Sequence, residues 1–349
     1  MENIDCLVCH DTTGTYGKKK RNNCGYPNES VDLLKVAQNV GKPARNNCGG
    51  CHWYGGGGDN VKHGDMSSAL ADPSRQVDVH MGELGFTCQQ CHTTRKHKIA
   101  GRSTTSAVSE GTVACRDCHE KKPHDPSSQL LSQLNEHCDA IACQTCHIPK
   151  YARQVKTVTL WDWSQSGDEN KMLKQTDTMV KQLSRKKGLL IEEKNLRPAY
   201  EWYNGKHRRY LKGDPVDMDG VTELNPPDGD IYDPQARIWP YKLMKGIEPA
   251  DLKNGYLIVP KLHGEGGFFE DFDWHEAAKH GMEAAGLDFS GRIRFVDTRM
   301  HWRLNHEVAP ANKALSCLDC HHPDGVMDFE ALGYAGDPAV TGGRDTAEP

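Results

Sequence analysis

The sequence CLVCH occupies residues 6–10, and the pattern CxxCH that it contains recurs five times along the chain. The six copies are Cys6–His10, Cys48–His52, Cys88–His92, Cys115–His119, Cys143–His147 and Cys317–His321. Chance would supply roughly 0.03 copies at this composition, so the repeat is typical of c-type haem attachment. Two thiols three residues apart bind one porphyrin, and the histidine after them supplies an axial nitrogen to the iron.

Other uses of paired cysteines fit the pattern less well. Zinc ribbons combine two CxxC units and do not require a histidine after each one. A disulfide framework would not place a histidine after every second cysteine, and a thioredoxin-like CxxC needs a βαβ context that this sequence lacks. We therefore predict six haems c, attached through Cys6, Cys9, Cys48, Cys51, Cys88, Cys91, Cys115, Cys118, Cys143, Cys146, Cys317 and Cys320. Cys24 and Cys138 remain, either as a disulfide or as inert thiols.

The composition predicts an unusual core. Leu, Ile, Val and Phe number 61 of 349 residues, below the roughly 20% under which disorder is suspected. Disorder also requires a high net charge, whereas this chain carries only -5. Porphyrin rings would replace the missing apolar side chains, as cofactors do in other weak cores. The predicted fold is a multihaem cytochrome c with mainly short α-helices and coil around a close-packed haem row, and with little β structure.

Composition also excludes some partners. No basic excess exists to neutralise phosphates, so we expect no nucleic acid. No apolar run approaches the roughly 18 residues of a membrane span. Haem is joined to CxxCH outside the cytoplasm, which predicts a periplasmic or otherwise extracytoplasmic bacterial protein.

The histidines divide into proximal and distal candidates. The proximal candidates close the six motifs: His10, His52, His92, His119, His147 and His321. The distal candidates are His63, His80, His97, His124 and His137, together with His301 or His306 before the last motif. His97 and His124 each follow a proximal histidine by five residues, too few to pass around a porphyrin. We therefore expect them to ligate a neighbouring iron, which would bind the haems into a row.

The motif spacing predicts three regions. Residues 1–150 carry five motifs, residues 151–310 contain no cysteine, and residues 311–349 contain the last motif and a tail. Helix formers over residues 168–196 predict one or two exposed helices. DWHEAAKHGMEAAGL, residues 273–287, predicts another short helix, and turn residues such as NPPDGD predict long Pro- and Gly-rich loops.

Several longer strings resemble one family, the octahaem tetrathionate reductases. They include IDCLVCHDTTGTY (4–16), GGGGDNVKHGD (55–65), ACQTCHIP (142–149) and NHEVAP (305–310). The resemblance implies a periplasmic enzyme with eight haems c that reduces tetrathionate and, in some members, nitrite and hydroxylamine. It implies two axial histidines at most haems and a lysine amine at one active-site haem. It supports all the distal candidates and favours His306 over His301.

The chain departs from this family at its beginning. The family has two more CxxCH motifs before the one that matches Cys6–His10, and the active-site haem belongs to that stretch. We therefore expect Met1 to be an internal start, a split-gene boundary or a trimmed end. Lys18, in GTYGKKKR, is the candidate catalytic amine ligand. Its alternative role is to pair, with the cations after it, with haem propionates or water, and such a patch would attract anions.

Two functions follow from these expectations. The first is electron delivery within a respiratory reductase of the tetrathionate type, with an anionic substrate, redox partner proteins and a chain or segment carrying two further haems. The second is a pure electron conduit in which every iron has six ligands and no substrate binds.

Overall fold

Short helices connected by long loops form the first part of the chain. The computed structural model describes residues 5–18, 25–101 and 112–344. The helices of this part are α1 (Cys6–His10), α2 (Leu33–Gln38), α3 (Arg45–His52), α4 (Cys88–Cys91), α5 (Cys115–Cys118), α6 (Gln129–His137) and α7 (Cys143–His147). A single 3₁₀ turn spans Ser68–Leu70 and a π turn spans Val79–Glu83. Side chains of Asp5, Asp32 and Ser128 cap α1, α2 and α6 by accepting backbone N–H groups, which satisfies donors that a helix start leaves unpaired.

A two-residue hairpin interrupts this helical part. Strands β1 (Thr94–Arg95) and β2 (Lys98–Ile99) pair antiparallel. The two residues between them, Lys96 and His97, have φ values of 48° and 64°. Positive φ at both central residues is the geometry of the tight hairpin turn that matches strand twist. The turn places His97 at the tip of the hairpin.

Within the described residues, eight further strands form one mixed sheet. They are β3 (Thr157–Asp162), β4 (Met172–Gln175), β5 (Met179–Ser184), β6 (Gly188–Glu193), β7 (Ala199–Tyr203), β8 (Val221–Glu223), β9 (Arg237–Asp251) and β10 (Ile293–Arg303). The spatial order is β4-β5-β6-β3-β9-β10-β8, and β7 also pairs with β9. The longest contact is antiparallel, from Ile293 opposite Asp251 to Arg303 opposite Tyr241.

This sheet corrects two expectations. The expectation of little β structure is not supported, because the described structure is 23% strand and contains a multi-strand sheet. The helices expected over residues 168–196 are also wrong, since β4, β5 and β6 lie there. Lys, Gln, Glu and Leu favour helix locally, but pairing of β6 with β3, which itself lies against β9, overrides that propensity. Gly188, at φ 67°, begins β6 where an added Cβ would meet the Asp162 backbone oxygen at 2.2 Å.

The two faces of the sheet have different neighbours, because successive strand side chains point to opposite sides. One face packs toward the CxxCH region. Trp202 and Ile238 on it belong to an apolar cluster that contacts Cys320, and Trp302 lies 4.8 Å from the His63 ring. The opposite face carries Tyr241 and His301, with ring centroids 6.1 Å apart.

The remaining helices follow the sheet or lie between its strands. They are α8 (Phe268–Asp271), α9 (Trp274–Ala285), α10 (Cys317–Cys320) and α11 (Pro338–Thr341). Helix α9 confirms the prediction for residues 273–287: the Asp273 side chain caps its start, and Gly286 ends it at φ 69°. In the described part of the chain, no helix is long and apolar enough to cross a bilayer.

Candidate functional site

Each CxxCH motif forms one short helix. The six motif helices are α1, α3, α4, α5, α7 and α10, and we call them together the attachment row. In a helix, side chains three or four residues apart lie on the same face. The two thiols of each motif are therefore neighbours, and the histidine lies one position further along.

Neighbouring members of the attachment row contact one another in sequence order. Between α1 and α3, the Asn47 side chain donates to the backbone oxygens of Val8 and Asp11 at 3.3 and 3.0 Å. Between α3 and α4, the neighbouring thiols of Cys48 and Cys88 shift each other's pKa, upward for Cys48 and downward for Cys88.

The same order continues to the last motif. Val113, just before α5, donates its backbone N–H to Cys91 of α4 at 3.0 Å. Between α5 and α7, the neighbouring thiols of Cys115 and Cys143 shift each other's pKa, upward for Cys115 and downward for Cys143. Leu315, just before α10, donates to the Cys146 oxygen of α7 at 3.0 Å. The attachment row is thus continuous from the first motif to the sixth.

The predicted distal histidines face the proximal histidines in pairs. The ring centroids are 6.1 Å apart for His10–His97, 6.1 Å for His80–His119, 6.3 Å for His92–His306, 6.5 Å for His124–His147 and 6.2 Å for His137–His321. A metal held by both rings at a metal–nitrogen distance of about 2.0–2.1 Å would separate the centroids by about 6.3 Å. The pairs therefore fit two axial imidazoles on one iron.

The sixth pair is the remaining one, His52 and His63. His52 is among the charges that act on His63, and burial lowers the pKa of His63 to about 4. A neutral imidazole has a lone pair free for a metal. His63 is thus kept in the form that an axial ligand needs.

His97 and His124 do not face the motif that each follows. His97 reaches His10 of the first motif, and His124 reaches His147 of the fifth. The alternative His301 lies on the far face of the sheet, with its Nε2 3.1 Å from Glu201 Oε1. His301 lies within β10 and points to that face, whereas His306 lies beyond the end of the strand. The ligand roles themselves stay predictions.

Comparisons with known proteins identify the class of protein to which the chain belongs. A crystal structure of an octahaem cytochrome c from Shewanella oneidensis is 44% identical, has a TM-score of 0.87, and is matched over 96% of this chain and 76% of its own. The chain belongs to the multihaem c-type cytochromes. A family model described as bacterial cytochrome c also matches residues 158–324 of this cytochrome.

A further relative is more distant. An uncharacterized protein of Archaeoglobus fulgidus is 28% identical over 134 residues, which is 33% of this chain and 43% of that protein. The cytochrome therefore spans less than half the length of this curated relative. Membership in the family establishes covalently bound haem c as the cofactor and implies redox partner proteins.

Some histidines of the cytochrome have their second ring nitrogen, Nδ1, held by a neighbour. His10 Nδ1 lies 2.8 Å from the Gly41 backbone oxygen, and His124 Nδ1 lies 3.2 Å from Asn135 Oδ1. Two others have carboxylates: Asp65 lies 3.2 Å from His306 Nδ1, and Asp337 lies 2.6 Å from His321 Nδ1. Such a partner sets the tautomer that leaves Nε2 free for iron. Sequence reasoning missed these partners, because Asp337 lies 16 residues from His321 with no motif between them.

Lys18 takes part in an ion pair in the structure. Its Nζ lies 2.8 Å from Asp5 Oδ2 and 2.8 Å from the Gly25 oxygen. The hydrogen bond to Asp5 raises the pKa of Lys18, so the amine carries a proton where a metal ligand would need a lone pair. The observed partner is a carboxylate of this chain rather than a haem propionate or water, and the catalytic role of Lys18 stays a prediction. Lys19, Lys20, Arg21 and Cys24 lie outside the described residues, whereas Cys138 is buried with its thiol 3.5 Å from the Leu134 oxygen.

A cavity beside the last motif completes the site. It has a volume of about 560 Å³ and is bounded by Met327, Phe329 and Asp337 among others. Ligand cavities usually measure about 300–1,000 Å³. The cavity reaches the last motif through Asp337, whose carboxylate contacts His321.

Proposed function

We propose that the chain holds six haems c, one at each member of the attachment row. The six axial pairs would be His10 with His97, His52 with His63, His92 with His306, His119 with His80, His147 with His124, and His321 with His137. The separations of the five measured ring pairs, 6.1–6.5 Å, carry this proposal.

Haem c with two imidazole ligands supplies a one-electron couple at low potential. The residues of this chain tether the porphyrins, fill both axial positions and exclude water. Trp302 and Trp202 on the sheet cover the attachment row from one side. Short contacts between consecutive motifs would bring neighbouring haems close together.

We further propose that this row delivers electrons in a periplasmic reductase of the tetrathionate reductase type. Tetrathionate takes up two electrons and splits at its central sulfur–sulfur bond into two thiosulfates, and nitrite or hydroxylamine are further candidate substrates. The close similarity to an octahaem cytochrome supports two additional haems on a partner chain or segment. The Lys18 region would then face an anionic substrate.

A pure conduit is the second candidate. Every CxxCH histidine is assigned a second histidine, which would leave no iron in this chain with an exchangeable position. In this candidate, substrate chemistry would belong entirely to a partner protein.

Electron paramagnetic resonance and a turnover assay separate the two candidates. The holoprotein should bind six haems and give low-spin ferric signals. Viologen-linked tetrathionate reduction would support the reductase, whereas a high-spin component that shifts with cyanide or nitrite would contradict the six axial pairs. Entirely low-spin spectra without turnover would leave the conduit, and a haem-to-protein ratio other than six would contradict both.

A further inference from the structure

The partners of the histidine Nδ1 atoms differ in charge along the attachment row. At the first motif the acceptor is a neutral backbone oxygen, Gly41 O, and at the fifth it is the neutral amide oxygen of Asn135. At the sixth motif it is the carboxylate of Asp337, at 2.6 Å the shortest of these contacts. The same kind of ligand is therefore held by acceptors of different charge.

Asp337 is itself held in place. Its Oδ1 also accepts the Ala339 N–H at 2.9 Å and caps helix α11. The His321 ring stacks on Phe329, with centroids 5.4 Å apart and planes at 21°. The carboxylate and the ring are thus fixed relative to each other from both sides.

We propose that Asp337 is a positioning residue that lowers the reduction potential of the haem attached at Cys317 and Cys320. A carboxylate that accepts the Nδ1 proton makes the imidazole a stronger electron donor to iron. A more basic ligand and an adjacent negative charge both stabilise the ferric state. The sixth haem is therefore harder to reduce than the first and fifth, whose histidines have neutral acceptors. This inference rests on the proposed pairing of His321 with His137.

The main test is Asp337→Asn in the six-haem holoprotein. The amide oxygen can still accept from His321 and cap α11, so the charge changes while the hydrogen bonds are kept. In a spectroelectrochemical titration, one of the six steps should move to higher potential, and the g values of one low-spin ferric signal should move with it. Asp337→Ser, which also retains a capping oxygen, provides a second uncharged variant.

The reciprocal variant is Asn135→Asp. It places a carboxylate behind His124 and should move a different single step to lower potential. Six unchanged midpoints in both Asp337 variants, or a downward shift, would overturn the inference.

Haem content and spin state separate this failure from failure of the proposed function. If all variants retain six low-spin haems and the midpoints do not move, only the role of Asp337 is wrong. If the parent protein itself lacks six low-spin haems, the pairing is wrong instead.

Discussion

Lys242 is a single buried side chain that supports the loop before His63, a predicted axial ligand. It is 0% exposed, and its Nζ donates to the oxygens of Val61 and Lys62 at 2.7 Å each and to Thr157 Oγ1 at 2.6 Å. These carbonyls belong to the loop that leads directly into His63. The loop is rich in glycine and its sequence favours no single conformation. The hydrogen bonds from Lys242 therefore fix its conformation.

We expect Lys242→Met to loosen this loop. The change removes the donor from the buried Val61 carbonyl and from the part-buried Lys62 carbonyl, and a buried carbonyl left unsatisfied costs about 1–3 kcal/mol. The free energy of unfolding at equal haem content should fall by about 2–4 kcal/mol in guanidinium titrations. Lys245→Met, at an exposed position of the same strand, is the control, and equal midpoints for both variants would contradict the role of Lys242.

His207 predicts a pH dependence of stability. Burial, and then the charge of Arg303, lower the pKa of His207 to about 4, against about 6.5 in an unfolded chain. The unfolded state therefore binds the proton first, and stability falls as the pH drops from about 6.5 to about 4. The groups around the ring are Arg303 and His301 on β10, Tyr203 on β7, Tyr241 on β9, and Arg209.

His207→Gln should remove part of this loss of stability at acid pH. Because the ring is partly exposed, we expect a gain relative to the parent protein of only about 1 kcal/mol at pH 4. Unfolding midpoints at pH 4 and pH 7 measure it. His275→Gln, at an exposed position, is the control. If the His207 variant loses as much stability between pH 7 and pH 4 as the parent protein, this ring does not cause the pH dependence.

At the scale of elements, Arg153 joins the segments that carry two predicted axial ligands, His80 and His306. Its guanidinium donates to Gln76 O at 2.7 Å and also to the oxygens of Val77 and Glu307. The first two residues lead to His80, and Glu307 follows His306. Arg153 itself follows α7, so one side chain connects these two segments with the chain that leaves a motif helix.

We predict that Arg153→Lys disturbs two haems together. A lysine cannot reproduce the fixed fork of donors that the guanidinium offers. The low-spin signals of the His80–His119 and His92–His306 sites should shift in paramagnetic resonance spectra, while the other four stay unchanged. Arg75→Lys, at an exposed ion pair with Glu83, should leave all six signals unchanged. Uniform changes at every haem would indicate general unfolding instead.

The elements also show what the sequence could predict. The six motif helices and α9 follow from local signals: the CxxCH spacing in one case, and Asp273 and Gly286 at the ends in the other. The sheet could not be predicted in this way. β4–β6 consist of helix-favouring residues, and they form strands because β6 pairs with β3, which in turn pairs with β9 much later in the chain. The same limit applies to Asp337 and Arg153, whose partners are set by tertiary contact.

At the scale of the whole molecule, the attachment row and the sheet together take the place of a single hydrophobic core. Buried apolar side chains form small clusters, and one of them packs Trp202 and Met327 against Cys320. Covalent haem c would take the place of a single large apolar core. The crossing of His97 from the third motif to the first would make neighbouring haem sites depend on each other's chain segments.

His97→Gly tests that crossing directly. If His97 is the distal ligand of the haem at Cys6 and Cys9, its removal should convert one of six haems to a high-spin form that added imidazole returns to low spin. The His92–His306 site, whose proximal histidine lies only five residues from His97, should keep its spectrum and potential. His275→Gly controls for loss of an exposed histidine. A high-spin signal assigned to the third motif, or none at all, would contradict cross-ligation, because an isolated arrangement predicts that each motif depends only on histidines of its own segment.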